Sequence, residues 1–375
     1  MKTTLLKDFL KEGVSIAERI AAKNPSLPIL SNIFISAENN LLQISATDLE
    51  VGVHYKVLAK NDKTGAVVVP SKTLSQFVAS LADAQITLTT KEKQLEVSSG
   101  SFRALLKTLD PEDFPIIPSP KGDEPTVEVD ARALCDGLQT VVGFVGQTQA
   151  RPEISGILFF FSQKTLKLVS TDSFRLAEKT VPTKTQSSKE QSFILPAKAA
   201  RELVGAFGER EGKVKIFFSP TQASFFYSLE GQAKEPQISL VSRLIEGEYP
   251  RYQDVIPSSI KTRVILNRND LVAHLRAASV FSGRTNDVHF LIDPQKQKVE
   301  IQSRSQDLGE DISSLEGKVE GEKREISFNW RFFLEGLSQI RSDKVDFGIA
   351  GEEGPALLRP TQEEEYLYVL MPVKL

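Results

Sequence analysis

Three cations recur at one offset in this chain. Lys72, Lys198 and Arg331 each stand two residues past Pro70, Pro196 and Asn329, where an alternating strand pattern gives way to a helical one. A positive side chain in the first helical turn opposes the helix macrodipole at a cost of roughly 0.3–1 kcal/mol, so stability alone does not select it. The chemistry open to such groups is contact with phosphate, through flexible side chains that read no bases and lose affinity with salt. Further cations fall on helices or at their ends: Lys7, Lys11, Arg132, Arg201, Arg268 and Arg276. Taken singly, each also fits the solvated face of an amphipathic helix. The threefold recurrence favours a shared basic surface instead. Aromatic residues do not interleave with these cations, so duplex is expected rather than a single strand.

Catalytic chemistry is poorly supplied. His54, His274 and His289 lie far apart in the pattern, and no HExxH or paired CxxC spacing holds a metal. The stretch Gly208 to Lys215 (GEREGKVK) is one residue short of a phosphate-binding loop and lacks the hydroxyl after Lys213, so it reads as a hairpin or a helix exit. GxSxG and GxGxxG are both absent. Asp48 and Asp172 read as turn formers. The sequence therefore implies no catalytic residue, no metal and no cofactor; a hydrolase or nuclease would need convergent carboxylates or a metal site. Lys plus Arg number 46 against 49 Asp plus Glu, a formal charge of -3, so any nucleic-acid contact must come from uneven placement of charge.

The elements that position these residues repeat three times. LLQISATDLEVGV (Leu41 to Val53), TLKLVSTDSFRLAEKTV (Thr165 to Val181) and KVEIQSRSQDLGEDIS (Lys298 to Ser313) each read as a strand, a polar turn and a second strand. Roughly thirty residues later each repeat runs a strand into a helix: VVVPSKTLSQFVASL, SFILPAKAARELVGAF and EISFNWRFFLEGLSQI. A period of roughly 125 residues means tandem domains, not a solenoid. Each repeat opens with a further helix. The first carries Leu6, Phe9, Leu10, Ala17, Ile20 and Ala21 on one face with Thr3 or Thr4 as its expected N-cap; the second follows Asp130, and the third follows Asn267. Proline-rich stretches at Pro111 to Pro125 and Glu246 to Ser259 separate the repeats. The expectation is an α+β chain of three domains, 1–120, 121–255 and 256–375, each with two helices packed on antiparallel sheets.

One cysteine, Cys135, forms no internal disulfide, and MKTTLLKDFLKEG lacks the apolar core of a secretory signal. No apolar run approaches the roughly 18 residues of a membrane span. A cytoplasmic location without membrane partners is expected.

In order and spacing, SLPILSNI (Ser26 to Ile33), STDSFRLA (Ser170 to Ala177), EGEYPRYQDVIP (Glu246 to Pro257), FNW (Phe328 to Trp330) and YLYVLMPVKL (Tyr366 to Leu375) make a chain that resembles the bacterial sliding clamps, the β subunits of DNA polymerase III, over essentially its whole length. The resemblance implies a head-to-tail homodimer whose six similar domains close a ring around duplex DNA, helices lining the hole and sheets outside. It implies as partners the polymerase III α subunit, the clamp loader and other proteins carrying a clamp-binding motif, with no catalysis. Such motifs would dock in a groove between domains two and three. By motif position that groove takes Ile154, Thr171, Ser173, Phe174, Arg175, Leu176, Pro250, Val255, Asn329, Phe332, Val369, Leu370, Met371, Pro372 and Val373. Two readings of the residues themselves agree: an end as apolar as VLMPVKL must be tied down against apolar surface, and Met371 is soft enough to serve several clients. The first repeat supplies a control, carrying Thr47-Asp48-Leu49-Glu50 where the second has Thr171-Asp172-Ser173-Phe174-Arg175.

For duplex DNA the resemblance implies Lys23, Asn24, Gln149 and Arg151, beside Lys72, Lys198, Arg201 and Arg331. For the dimer seam it points to Val78, Leu81 and Leu106 against Val280 and Phe281, with Asp307, Glu310 and Asp311 as acidic partners. The chain departs from the family's usual residues at four places. Ser173-Phe174 replaces Gly-His, Phe332 replaces Tyr, Val373-Lys374 replaces Met-Arg, and Pro152-Glu153 replaces an aromatic pair. The first three bear on pocket shape and client motif, the last on the grip on DNA.

Overall fold

The computed structural model describes residues 1–21, 27–120, 126–148, 150–184, 190–208, 210–229, 236–362 and 365–373. Among them are six α-helices: α1 Lys7–Ile20, α2 Ser71–Ser80, α3 Ala131–Val141, α4 Ala197–Phe207, α5 Arg268–Val280 and α6 Trp330–Ser338. The expected caps hold at two starts. Asp130 Oδ1 accepts from the Ala133 N–H at 2.9 Å, and Asn267 Oδ1 from Asn269 and Asp270. The first helix differs from expectation, because Lys2–Leu6 is a strand and α1 begins only at Lys7, with Leu6 as an N-cap that makes no side-chain bond. Thr3 and Thr4 are β-branched, and Thr3 and Leu5 are buried on one face with Lys2 and Leu6 exposed on the other. Period-two burial of stiff side chains favours a strand over a helical cap. α4 ends at Gly208, whose φ is 53°, and Lys213 opens the next strand, so the described residues between them leave a helix and enter a strand.

Packing divides the chain into two units. Met1–Leu138, Pro182–Lys189 and Leu195–Glu246 make the first; Gln139–Val181, Glu190–Ile194 and Gly247–Leu375 make the second. The first unit holds a five-stranded sheet ending in Phe102–Lys107 and an eight-stranded sheet from Thr126–Asp130 to Gly65–Pro70. The second holds a nine-stranded sheet from Gln191–Pro196 to Lys318–Gly321 and a four-stranded sheet ending in Gly309–Glu316.

Two strand roles recur and explain the large sheets. After the polar turn each repeat has a turn strand, Val51–Leu58, Arg175–Pro182 or Gly309–Glu316, and late in each repeat comes a closing strand, Phe102–Lys107, Ile238–Arg243 or Tyr366–Leu370. In the first unit the turn strand of repeat one pairs antiparallel with the closing strand of repeat two, Val53 opposite Leu240. In the second unit the turn strand of repeat two pairs with the closing strand of repeat three, Leu176 opposite Val369. Main-chain hydrogen bonds thus run unbroken across each joint. One closing strand, Phe102–Lys107, and one turn strand, Gly309–Glu316, remain as the outermost strands of their sheets.

His54 lies on the first of these joints, opposite Ser239, with Nδ1 2.8 Å from Ser45 Oγ and 3.2 Å from Gln43 Nε2. Desolvation, helped by Lys56, lowers its pKa to about 4. It folds neutral, so as pH falls below 6.5 the unfolded chain takes up a proton that the folded chain refuses until about 4. Stability is expected to drop by about 3 kcal/mol across that window, and His54→Gln to flatten this part of the slope. Urea midpoints at pH 7 and pH 4 check it; an unchanged slope in the variant would refute the assignment.

Candidate functional site

The turn before Arg175–Pro182 is built by two side chains. Thr171 Oγ1 donates to the Arg175 carbonyl at 2.7 Å and accepts from the Ser173 N–H at 3.1 Å, while Asp172 Oδ1 accepts from the N–H groups of Phe174 and Arg175, both at 3.0 Å. The turn places Ser173 in the left-handed region, φ 78°, and turns Phe174 outward, 62% exposed. Asp172 is therefore the turn former its sequence context predicts.

Beside the turn lies a cavity of about 200 Å³ within the second unit. Leu176 and Val369, cross-strand partners, make its floor, and Ile154, Pro250, Val255 and Met371 stand around it. The floor belongs to an apolar cluster with Leu158, Val169, Tyr252, Leu357 and Leu367, against which Tyr249 and Ile256 also pack. Burial of such side chains contributes about 1.5–3 kcal/mol each, so the 249–256 connector is pinned to the sheet as a wall. The tail is held by main-chain bonds: Met371 N–H donates to the Phe174 carbonyl at 2.9 Å and Val373 N–H to Ser327 at 2.8 Å.

Arg175 organises the neighbouring rings. Its guanidinium carbon lies 4.2 Å from the Phe332 ring centroid and 5.1 Å from that of Phe144. Nε donates to Asp172 Oδ2 at 2.9 Å, and Nη1 pairs with Glu335. Burial opposes its charge, yet Tyr368, Glu335 and Asp172 raise its pKa above the ordinary value. With only 9% of its side chain exposed, Arg175 positions its surroundings more than it offers a free charge. Phe174 and Phe332 meet at 6.4 Å and extend the apolar surface beside the cavity. Behind them Gly336 approaches the Tyr368 ring so closely that a Cβ there would lie 2.4 Å from it.

The structure gathers Ile154, Thr171, Ser173, Arg175, Leu176, Pro250, Val255, Val369 and Met371 around one cavity, and Phe174 and Phe332 beside it. Leu370 is a correction: strand alternation turns it to the opposite face from Val369, and it is fully buried. Asn329 has structural work, capping α6 through bonds from Arg331 and Phe332. Pro372 and Val373 are half-buried along the tail and do not line the cavity. Arg151 stands at the cavity mouth, donating to Ser173 Oγ at 3.2 Å and Glu153 at 3.1 Å. Sequence reasoning missed Arg251 and Tyr252, which sit between Pro250 and Val255 in the same connector. Arg251 is exposed with no ion pair among the described residues.

The repeated cations do not share one environment. Lys72 is exposed on α2. Lys198 on α4 pairs with Asp48, and Arg331 lies with its guanidinium 5.2 Å from the Trp330 ring centroid. Arg201 is exposed on α4. Lys23, Asn24 and Gln149 lie outside the described residues. For the proposed seam, Val78, Leu81 and Leu106 are corrections, since all three are buried inside their own domain and keep almost no surface for a partner. The apolar residues that the outermost strands expose are Phe102 and Leu105, 47% and 51%, and Ile312, 58%. Val280 is exposed, Phe281 half-buried, Asp307 and Glu310 exposed and Asp311 half-buried. No group of His, Cys, Asp and Glu among the described residues has metal-binding geometry, and the Cys135 thiol is buried with its pKa pushed up to about 12 by desolvation.

Three family models match in tandem: DNA polymerase III beta subunit, N-terminal domain over 1–118, central domain over 128–251 and C-terminal domain over 253–374. The beta sliding clamp of Synechocystis sp. is 25% identical over 396 residues, covering all of both chains. That of Chlamydia muridarum is 26% identical over 377 residues, covering 100% of this chain and 99% of its own. The crystal structure of the DNA polymerase III beta subunit from Thermotoga maritima superimposes with a TM-score of 0.90 at 27% identity, covering 100% of this chain and 99% of that one.

Proposed function

The chain belongs to the DNA polymerase III β-subunit family, a DNA sliding clamp without catalysis of its own, and from that premise we propose how it closes and what it holds. Two copies join head to tail, the Phe102–Lys107 strand of one pairing with the Gly309–Glu316 strand of the other. The observation that carries this is the joint itself. Turn strand pairs with closing strand at both joints inside the chain, and one strand of each kind is left at a sheet edge. An unpaired edge with exposed Phe102, Leu105 and Ile312 invites a partner strand, and a two-copy head-to-tail arrangement pairs both of these edges by closing on itself. Charge agrees, with Arg103 and Lys107 exposed on the first strand and Glu310 and Glu316 on the second.

The closed ring encloses duplex DNA, and it slides because phosphate contacts are sequence-blind. It tethers the polymerase by raising its effective concentration at the primer end. The groove beside Met371 takes a short linear motif from the polymerase III α subunit, the clamp loader and other clients, with apolar side chains on Leu176 and Val369 and a polar or acidic group near Arg251. The site of action is cytoplasmic; no helix among the described residues is long and apolar enough to cross a membrane.

Retention on DNA tests the enclosure. Loaded protein is expected to stay on closed circular plasmid and to run off once the plasmid is cut, with a solution mass near twice 41.5 kDa. Equal loss from both forms, or a strict monomer, would sink the ring.

A further inference from the structure

The first unit contains a counterpart of the client groove that the function above does not use. Its turn repeats the other bond for bond: Thr47 Oγ1 donates to the Val51 carbonyl at 2.9 Å and accepts from the Leu49 N–H at 3.0 Å, and Asp48 Oδ1 accepts from Glu50 and Val51. The strand register repeats too. Gly52 faces Val241 where Leu176 faces Val369, and Arg243 N–H donates to the Glu50 carbonyl as Met371 N–H donates to that of Phe174. Beside this joint is a cavity of about 740 Å³. Gly52 stands where the other floor has its leucine, and the Ile117 side chain occupies that space, 2.7 Å from where a Cβ would stand.

Two observations point to a ligand. Leu49 occupies the left-handed turn position, φ 77°, with its side chain exposed, and Ile116 is 94% exposed at the same cavity. A bulky apolar residue in that backbone region costs about 1–2 kcal/mol, so local stability does not choose it. The second is charge: Glu50 and Glu246 line the cavity, both exposed and without an ion pair among the described residues, against one cation among its described lining residues, Arg243. The first groove has the opposite balance at its mouth, with Arg151 and Arg251 against Glu153.

We propose that this cavity is a second docking site, taking an extended segment of a partner protein in which an apolar residue sits beside a lysine or arginine. The apolar side chain enters between Leu49, Ile116 and Ile117, and the cation meets Glu50 and Glu246. Opposite charge makes the two grooves select different segments, because like charge across a contact rejects a wrong partner.

The test is methyl NMR of the full-length dimer labelled at Ile, Leu, Val and Met, titrated with acetyl-Leu-Lys-Leu-Lys-Leu-amide and, separately, acetyl-Leu-Glu-Leu-Glu-Leu-amide. The lysine peptide is expected to shift the Leu49, Ile116 and Ile117 methyls saturably, about tenfold more tightly than the glutamate peptide. The double variant Glu50→Gln, Glu246→Gln, whose substitutions are exposed and leave the core untouched, is expected to lose about that factor. The proposal is overturned by no saturable shift at Ile116 and Ile117, by equal affinity for the two peptides, or by undiminished affinity in the double variant. The Met371 methyl reports the client groove in the same spectra, so failure at one site is read separately from failure at the other.

Discussion

Removing Met371 to Leu375 is expected to weaken binding of the polymerase III α subunit by at least about 100-fold, the equivalent of about 2.7 kcal/mol, while the solution mass of the clamp stays that of the dimer. Met371 lines the 200 Å³ cavity together with Leu176 and Val369, and pockets that hold a central apolar anchor commonly carry about 2 kcal/mol or more of a binding energy. The fold is expected to survive the cut. Tyr366–Leu370 is buried throughout and keeps its pairings with both neighbouring strands. Among the described residues the cut removes two main-chain hydrogen bonds, to the carbonyls of Phe174 and Ser327, worth about 1 kcal/mol each. Surface plasmon resonance with immobilised α subunit reads the affinity, and sedimentation reads the mass. Undiminished binding rejects the groove assignment; a monomeric product means the tail also supports assembly.

Phe102→Glu combined with Leu105→Glu is expected to reduce the solution mass from twice 41.5 kDa to 41.5 kDa, with dimer affinity falling on the order of 1,000-fold. Both side chains are about half exposed on the Phe102–Lys107 edge, so the variant keeps its own core. Glutamate at either position faces the acidic Gly309–Glu316 strand of the second copy. It replaces apolar contact with desolvated like charge, which costs several kcal/mol. Retention on circular plasmid should vanish with the dimer, whereas binding to a client motif should be unaffected, since that cavity lies wholly in the second unit. Val78→Ala, Leu81→Ala and Leu106→Ala make the contrast. Being buried in their own domain, they should cost about 2–5 kcal/mol of monomer stability. A double-glutamate variant that remains dimeric would show that the seam lies elsewhere.

Much of the site is legible in the residues because its key device is local. A Thr-Asp pair before a strand closes its turn with its own side chains, so Thr171 and Asp172 announce both the turn and the outward Phe174, and Thr47 and Asp48 announce its copy. Arg251 and Tyr252 were overlooked for the opposite reason. They belong to a connector whose register against the sheet is set by packing on Leu176 and Val369, which leaves no periodic trace. Leu370 and Leu106 differ from expectation because a sequence match marks a strand without saying which of two neighbouring side chains faces the site; one step along a strand reverses the answer. Lys198 illustrates a further loss: its offset marks it as a free cation, but its partner Asp48 comes from another repeat.

What the chain determines alone is whatever depends on neighbours in sequence: three repeats, two helices in each, the capping residues Asp130 and Asn267, the polar turns, and membership of a clamp family by the order of its motifs. Tertiary structure decided which edges pair. Strand edges carry the same N–H and C=O groups in every repeat, so only folding could choose Val51–Leu58 with Ile238–Arg243 and Arg175–Pro182 with Tyr366–Leu370. That choice creates a cavity at each joint and leaves one closing strand and one turn strand without a partner of the other kind, and both consequences arise from residues too far apart in the chain for any spacing to reveal.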